Sequence, residues 1–221
     1  MTKPILYTCA RSRGLRATWA AEEAGVDVDL RVLPFPPRFM APEYMEQNPL
    51  GTVPLLIDGE ARMTESCAIA HYFATRDGPT GLGPTGLAIA PGEADYAAYL
   101  DYTYHADATL TFPQTVFMRF AIFEKDKGLE EAGHAYAKWF AKRLIKIEER
   151  LATRDYLCAD RFTVADICVG YALILAEAVG LDEHVPQSLK DYRTQLTRRE
   201  AYKRAFAREE AGRLALEGYA G

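Results

Sequence analysis

Val53 and Pro54 stand at the mouth of an apolar run, Asn48-Pro49-Leu50-Gly51-Thr52-Val53-Pro54-Leu55-Leu56-Ile57, and after a short turn come Met63-Thr64-Glu65-Ser66. Pro54 has no N–H to give to a ladder, so the run must begin at a sheet edge or a bend. Val53 then keeps its main-chain N–H and C=O free, and such a pair beside an edge is a template for an extended peptide. Ser66 precedes Cys67-Ala68-Ile69-Ala70-His71-Tyr72-Phe73-Ala74. A helix starting there offers N–H donors to a carboxylate, and Glu65 can take an ammonium. The residue types and spacing imply a small peptide ligand with an α-amino acid head.

The run Asn48 to Leu55, the Glu65-Ser66 pair and the tail Arg199-Glu200-Ala201-Tyr202-Lys203-Arg204-Ala205 resemble the bacterial cytosolic glutathione transferases, of serine or tyrosine type, over nearly all of the 221 residues. The resemblance implies a cis Val53-Pro54 bond. It also implies that the Val53 backbone pairs with the cysteinyl unit of glutathione and that Glu65 and Ser66 hold its γ-glutamyl end. Glutathione would be a co-substrate with no metal, and the chain a homodimer with one domain of each subunit against the other domain of its partner. Glu200 stands where such proteins commonly have proline, a departure expected to affect only the start of the last helix.

The chemistry this implies is activation of a thiol. At neutral pH a thiol with a pKa near ~8.5 is only slightly ionised, and the thiolate is the nucleophile. Lowering that pKa by ~2 units takes ~2.7 kcal/mol, which one hydroxyl and a helix N-terminus can supply. Tyr7-Thr8-Cys9-Ala10-Arg11-Ser12-Arg13-Gly14 joins the first strand to the first helix and holds three hydroxyls. By the resemblance, Ser12 falls where serine-type members keep the thiolate donor and Tyr7 where tyrosine-type members keep theirs. Ser12 is the preferred donor. Position alone also fits Ser12 as a helix N-cap and Tyr7 as a core strand aromatic.

Two other readings stand beside transfer. Cys9, in the same loop, could form mixed disulfides with glutathione in a thiol-disulfide oxidoreductase, although no resolving CxxC partner is present and a buried inert thiol is the commoner fate. The chain could also be a non-catalytic glutathione-binding or protein-binding member of the fold. The second substrate would be met by the helical domain and a proline-rich lip, as a hydrophobic and most plausibly aromatic electrophile. Tyr104 and Phe112 are candidates for an aromatic wall, and Arg119 for a cation facing an anionic substituent.

The elements that must position these groups follow from patterning. Ile5 to Thr8 and Val28 to Leu33 read as strands around a helix from Arg13 to Ala24, with Leu15, Trp19 and Ala20 on its apolar face and Gly25 as its stop. Pro34, Pro36, Pro37 and Pro42 fall in a stretch that cannot sustain a helix and must run along the surface. Val53 to Ile57 and Ala61 to Met63 read as a hairpin before the helix opened by Ser66. This βαβ-ββα order predicts a thioredoxin-like N-terminal domain over residues 1–78. A linker rich in Gly and Pro over 79–92 includes the copied pentads Gly78-Pro79-Thr80-Gly81-Leu82 and Gly83-Pro84-Thr85-Gly86-Leu87.

An all-helical domain is expected over 93–221, with helices at Glu93 to Phe123, Leu129 to Leu151, Val164 to Val179 and Ala201 to Leu216. Pro113 should kink or split the first of them. Thr163 and Asp166 have capping-box spacing, and that box is worth ~1 kcal/mol. Composition narrows the rest: 49% of residues are hydrophobic and 26% charged, with a formal net charge of −5. No apolar run approaches the ~20 residues of a membrane span, and no basic stripe suits nucleic acid. The expected setting is the cytoplasm, without a secretory signal, and with four free thiols.

Overall fold

In the computed structural model, residues 3–76 and 86–218 are described. Ile5-Leu6-Tyr7-Thr8 forms β1 (Ile5–Thr8), which runs parallel to β2 (Asp29–Val32) and antiparallel to β3 (Leu55–Asp58), and β3 pairs with β4 (Ala61–Met63). The sheet order is β2-β1-β3-β4. Between β1 and β2 lies α1 (Gly14–Ala24), stopped by Gly25 in a left-handed C-cap. The hairpin is followed by α3 (Ser66–Thr75), and between β2 and β3 comes the short α2 (Pro37–Met40) with a 3₁₀ turn at Pro42–Glu46. The proline-rich stretch thus does contain helix, because Pro37 and Pro42 occupy first-turn positions where a missing N–H costs nothing.

From Ile89 the described structure is helical: α4 (Tyr96–His105), α5 (Phe112–Phe117), α6 (Glu130–Arg143), α7 (Ile145–Leu151), α8 (Val164–Ala178) and α9 (Gln187–Thr197). The first of these begins later than Glu93 because Asp95 takes a left-handed conformation, held by Arg150, Arg154 and the Ala159 N–H. Pro113 neither breaks the run nor ends it. A π-helical stretch, Ala106–Thr111, precedes it, and the Thr111 hydroxyl donates to the Ala106 carbonyl at 2.8 Å. The helix α9, additional to the expected helices, buries Leu189, Tyr192 and Leu196 on one stripe beneath a polar remainder.

The chain closes with α10 (Glu200–Gly218), which opens at Glu200. The described residues form two compact units, one running to Ala88 and resuming at Arg198, the other Ile89–Thr197. The last helix, expected in the helical domain, therefore belongs with the sheet. Its partner is α1: Trp19 is fully buried and meets the Tyr202 ring edge-on at 5.0 Å, a burial worth roughly 2 to 3 kcal/mol. Arg199 grips Glu23 through two hydrogen bonds of 2.6 and 2.8 Å, and Arg204 and Arg208 share Glu22. The copied Gly/Pro pentads lie, over 77–85, outside the described residues.

One carboxyl on α10 is buried outright. Glu209 Oε1 accepts the Thr8 and Thr18 hydroxyls at 3.1 and 2.8 Å, and Oε2 accepts the Arg11 N–H at 3.3 Å. Burial pushes its pKa up from 4.5 to about 7 against those hydrogen bonds. The ionisable groups facing it are Cys9 in the β1–α1 loop and Glu210 on α10. Burial alone would raise Glu210, but Arg11 and Arg213 pull it below the usual carboxylate range.

Two outcomes are expected. Asp166 accepts the Thr163 and Leu157 N–H groups at 2.7 and 2.9 Å and the Tyr192 hydroxyl at 2.6 Å, so it does more than close a capping box. Asp166→Ala leaves these buried donors unpaired and should cost about 3 kcal/mol in urea denaturation, well above a bare cap. Because folded Glu209 holds its proton to higher pH than the unfolded chain does, its contribution is complete below pH 4.5 and is lost as pH rises to about 7. Glu209→Gln should flatten that decline in a pH series of unfolding free energies.

Candidate active site

The β1–α1 loop is a tight turn built on main-chain bonds. Ser12 N–H donates to the Cys9 carbonyl at 3.1 Å, and Leu15 N–H to the Ser12 carbonyl at 3.0 Å. Gly14 is obligatory, since a Cβ there would lie 1.9 Å from Thr8 Oγ1. Ser12 Oγ accepts the Gly14 N–H at 3.1 Å, a side-chain turn that closes onto the first residue of α1. The oxygen being used as an acceptor leaves the hydroxyl proton to be donated, so closing this turn and thiolate stabilisation are compatible at this residue. Arg11, just before it, sits at φ 63°, a left-handed conformation costing about 1 kcal/mol for a residue with a Cβ.

Tyr7 is placed differently. It is buried in the sheet with Ala41, Tyr44 and Leu55, its ring 5.3 Å from that of Tyr44. Its hydroxyl accepts from Arg31 Nη1 at 2.8 Å, and the guanidinium also lies over the ring. Of the two candidate donors, Ser12 is the half-exposed one on a helix start and Tyr7 the one built into a core.

Val53 packs against that same cluster with its side chain. The Val53-Pro54 bond is cis. The β1–β3 ladder ends at Tyr7↔Leu55, so Val53 lies beyond it, and its main-chain N–H and C=O have no partner among the described residues. Of the two alternatives, a sheet edge or a bend, the structure has the bend: β3 is flanked by β1 and β4, and Val53 is unpaired because it lies in the bend before the strand. That bend is held by the Thr52 carbonyl, which accepts from Tyr44 Oη at 2.7 Å and Asn48 Nδ2 at 2.8 Å. Gly51 enters it at φ 60°, where a Cβ would strike Arg38 and Met45.

Glu65 occupies the N-cap of α3 in extended conformation and does not cap it with its side chain. It is exposed and has no ion-pair partner among the described residues. Ser66 is buried, and its Oγ accepts from Arg16 Nη1 at 3.1 Å. Arg16 is itself completely buried on α1, so a guanidinium stands behind the start of α3, where helix N–H groups lack internal acceptors. This bond ties the turn after Ser12 to the Glu65-Ser66 pair. The positive charge and the helix start favour a carboxylate, and Glu65 an ammonium.

Cys9 is buried, with Sγ 3.6 Å from the Pro34 carbonyl. Burial, and secondarily the Glu209 carboxyl, push this thiol up to about 12, so it stays protonated at neutral pH and is a poor nucleophile. All four cysteines are free and buried. In the helical unit Tyr104 and Phe112 are exposed, Phe112 against the edge of Tyr136 at 6.1 Å. Arg119 is paired with Glu124 at 3.2 Å, so an anion there would compete with a carboxylate. Tyr99, Tyr102 and Phe117 are core.

Sequence reasoning missed Arg16 and Glu209. Each carried a signal: Arg16 lies beside Leu15 on the stripe that runs to Trp19, and Glu209 continues the buried stripe Ala201, Ala205. A charge on an otherwise apolar or small-residue stripe must find a partner in the interior.

Comparison with known proteins gives the family. The family of the glutathione S-transferase N-terminal domain matches residues 10–76, and that of the C-terminal domain matches residues 135–207. A glutathione S-transferase of Zea mays is 30% identical over 182 residues, covering 77% of each chain. Another, of Xanthomonas campestris pv. campestris, is 28% identical over 144 residues, covering 64% of this chain and 68% of its own. A sphingomonad glutathione S-transferase solved with glutathione has a TM-score of 0.76 at 25% identity, covering 93% of this chain and 98% of that one. With both domain families matched in order on a thioredoxin-like sheet followed by helices, the chain belongs to the glutathione S-transferase family.

Proposed function

We propose that, within the glutathione S-transferase activity of its family, this chain binds glutathione in extended form along Val53 and activates its thiol with Ser12 for attack on a hydrophobic electrophile. The observation that carries the choice of Ser12 is its exposure just before α1. Both hydroxyls accept an N–H and keep a proton to donate, Ser12 from Gly14 and Tyr7 from Arg31, but Ser12 is half-exposed whereas Tyr7 is packed in a core. Val53 would pair with the cysteinyl unit through its unpartnered main chain, and the cis Pro54 follows it as the resemblance implies. Glu65 would take the γ-glutamyl ammonium, and Ser66 with the α3 start its carboxylate.

In the reaction, the thiol proton leaves to solvent as the Ser12 hydroxyl donates to the forming thiolate. The sulfur lone pair then forms a bond to an electrophilic carbon, and the leaving group departs with the bonding electrons or the carbon's π electrons move to an acceptor. Tyr104, Phe112 and Arg119 would supply surface for the electrophile, with Arg119 released from Glu124 when that substrate is anionic. A disulfide reductase built on Cys9 has less support, because that thiol is buried and held protonated. The chain would act in the cytoplasm as a homodimer.

Ser12→Ala should raise the pKa of enzyme-bound glutathione by about 1 to 2 units and cut kcat at neutral pH about tenfold, while Tyr7→Phe shifts the pKa by less. Thiolate absorbance titration of the complex measures both, and the reverse order would move the donor to Tyr7. Glu65→Gln should raise KM for glutathione about tenfold and lower kcat far less, because a charge contact to the γ-glutamyl head acts in ground state and transition state alike. Calorimetry finding no glutathione affinity at millimolar levels would remove the whole reading.

A further inference from the structure

Glu209 is 1% exposed, and its carboxyl meets the β1–α1 loop from beneath. Of the groups it binds, two have alternatives. Thr8 Oγ1 also reaches the Cys9 carbonyl at 3.2 Å, and Thr18 Oγ1 the Gly14 carbonyl at 3.3 Å. The Arg11 N–H, 3.3 Å from Oε2, is the contact that holds the loop itself. Arg11 is also held by its side chain, Nε to Glu210 Oε1 at 2.8 Å. Two consecutive residues of α10 thus grip one loop residue that sits at φ 63°, a conformation the chain does not adopt unaided.

Resting on the reading of Ser12 as thiolate donor, we infer that Glu209 is a positioning residue of this site. By accepting the Arg11 N–H it keeps the loop in the left-handed turn that aims the following Ser12 hydroxyl. A carboxyl buried among small residues opposes folding unless its acceptors are needed, and a methionine or leucine would fill the same space without desolvation. The requirement is for an oxygen at this point, and either protonation state of the carboxyl provides one. Glu209 touches no substrate and acts only through residues 11 and 12. The last helix therefore carries part of the machinery that sets thiol acidity, which gives a reason for its docking on the sheet unit.

The test compares Glu209→Met, Glu209→Gln and Ser12→Ala, each alone, and the Met substitution combined with Ser12→Ala. The readouts are kcat, KM for glutathione and the thiolate titration of bound glutathione. Methionine keeps length and helix preference and lets both threonine hydroxyls fall back on main-chain carbonyls, so only the Arg11 N–H loses its acceptor. Glu209→Met is expected to lower kcat about tenfold and raise the bound thiol's pKa by about one unit, with KM for glutathione within about twofold. Glu209→Gln, which restores an acceptor oxygen, is expected to recover most of that loss. In the Ser12→Ala background the Met substitution should add less than about twofold, since the group being aimed is gone.

Wild-type titration of Glu209→Met alongside a shifted Ser12→Ala would overturn this inference and leave the Ser12 reading standing. Full multiplication of the two effects would do the same. An unshifted Ser12→Ala would instead remove the Ser12 reading, and the positioning role with it. If Glu209→Met gives no cooperative melt, amide hydrogen exchange in the wild type decides: a protected Arg11 N–H supports the tether, and exchange at the unfolded-peptide rate overturns it.

Discussion

The close approach of α1 to the end of β1 governs everything at this site. Gly14 lies so near Thr8 that no side chain fits between them, and the turn from Cys9 to Arg13 must then close within a few residues. That turn puts the Ser12 hydroxyl at a helix start, where the backbone dipoles favour negative charge. It also forces Arg11 into a left-handed conformation, which needs support from outside the loop. The packing that places Ser12 just before a helix thus creates a strained residue next to it.

Charge is distributed around the loop in a consistent way. The cation nearest the expected glutathione carboxylate is Arg16, buried and bound to Ser66 at the start of α3. The acid nearest the expected ammonium is Glu65, exposed and unpaired among the described residues. Beneath the loop lies Glu209, whose burial raises its pKa and which in turn helps keep the neighbouring Cys9 thiol protonated. The serine and the cysteine of this loop therefore differ in environment: Ser12 is half-exposed, and the Cys9 sulfur is desolvated and held protonated.

Much of this architecture was legible in residue types. The apolar run of β1, the left-handed stop at Gly25, the hairpin around Asp58-Gly59 and the helix at Ser66 are local signals, each enforced by a preference that acts within a few residues. The Val53-Pro54 and Glu65-Ser66 spacing was likewise readable, because a missing N–H and a helix start advertise themselves in sequence. Pro113 was read as a disturbance of its helix, and the form it takes, a π-helical stretch between α4 and α5 in which the Thr111 hydroxyl donates to the Ala106 carbonyl, depends on side-chain placement that consecutive residue types do not spell out. The grouping of α10 with the sheet unit was not legible in the sequence. Its pattern is equally helical wherever it docks, and the choice of α1 as partner is made by Trp19, Tyr202 and the arginine pairs, residues brought together only by folding.

The sequence by itself determined the family and the order of the strands with the helices between and after them in the N-terminal unit, since these rest on motifs and periodicities written in consecutive positions. Tertiary structure alone decided that Ser12 is half-exposed just before α1 while Tyr7 is packed in a core, that Cys9 is buried, that Val53 lies unpaired in the bend before β3, and that Arg16 and Glu209 are buried against Ser66 and the β1–α1 loop. Those outcomes depend on desolvation and on hydrogen bonds between residues far apart in the chain, and neither is a property of any local stretch of it.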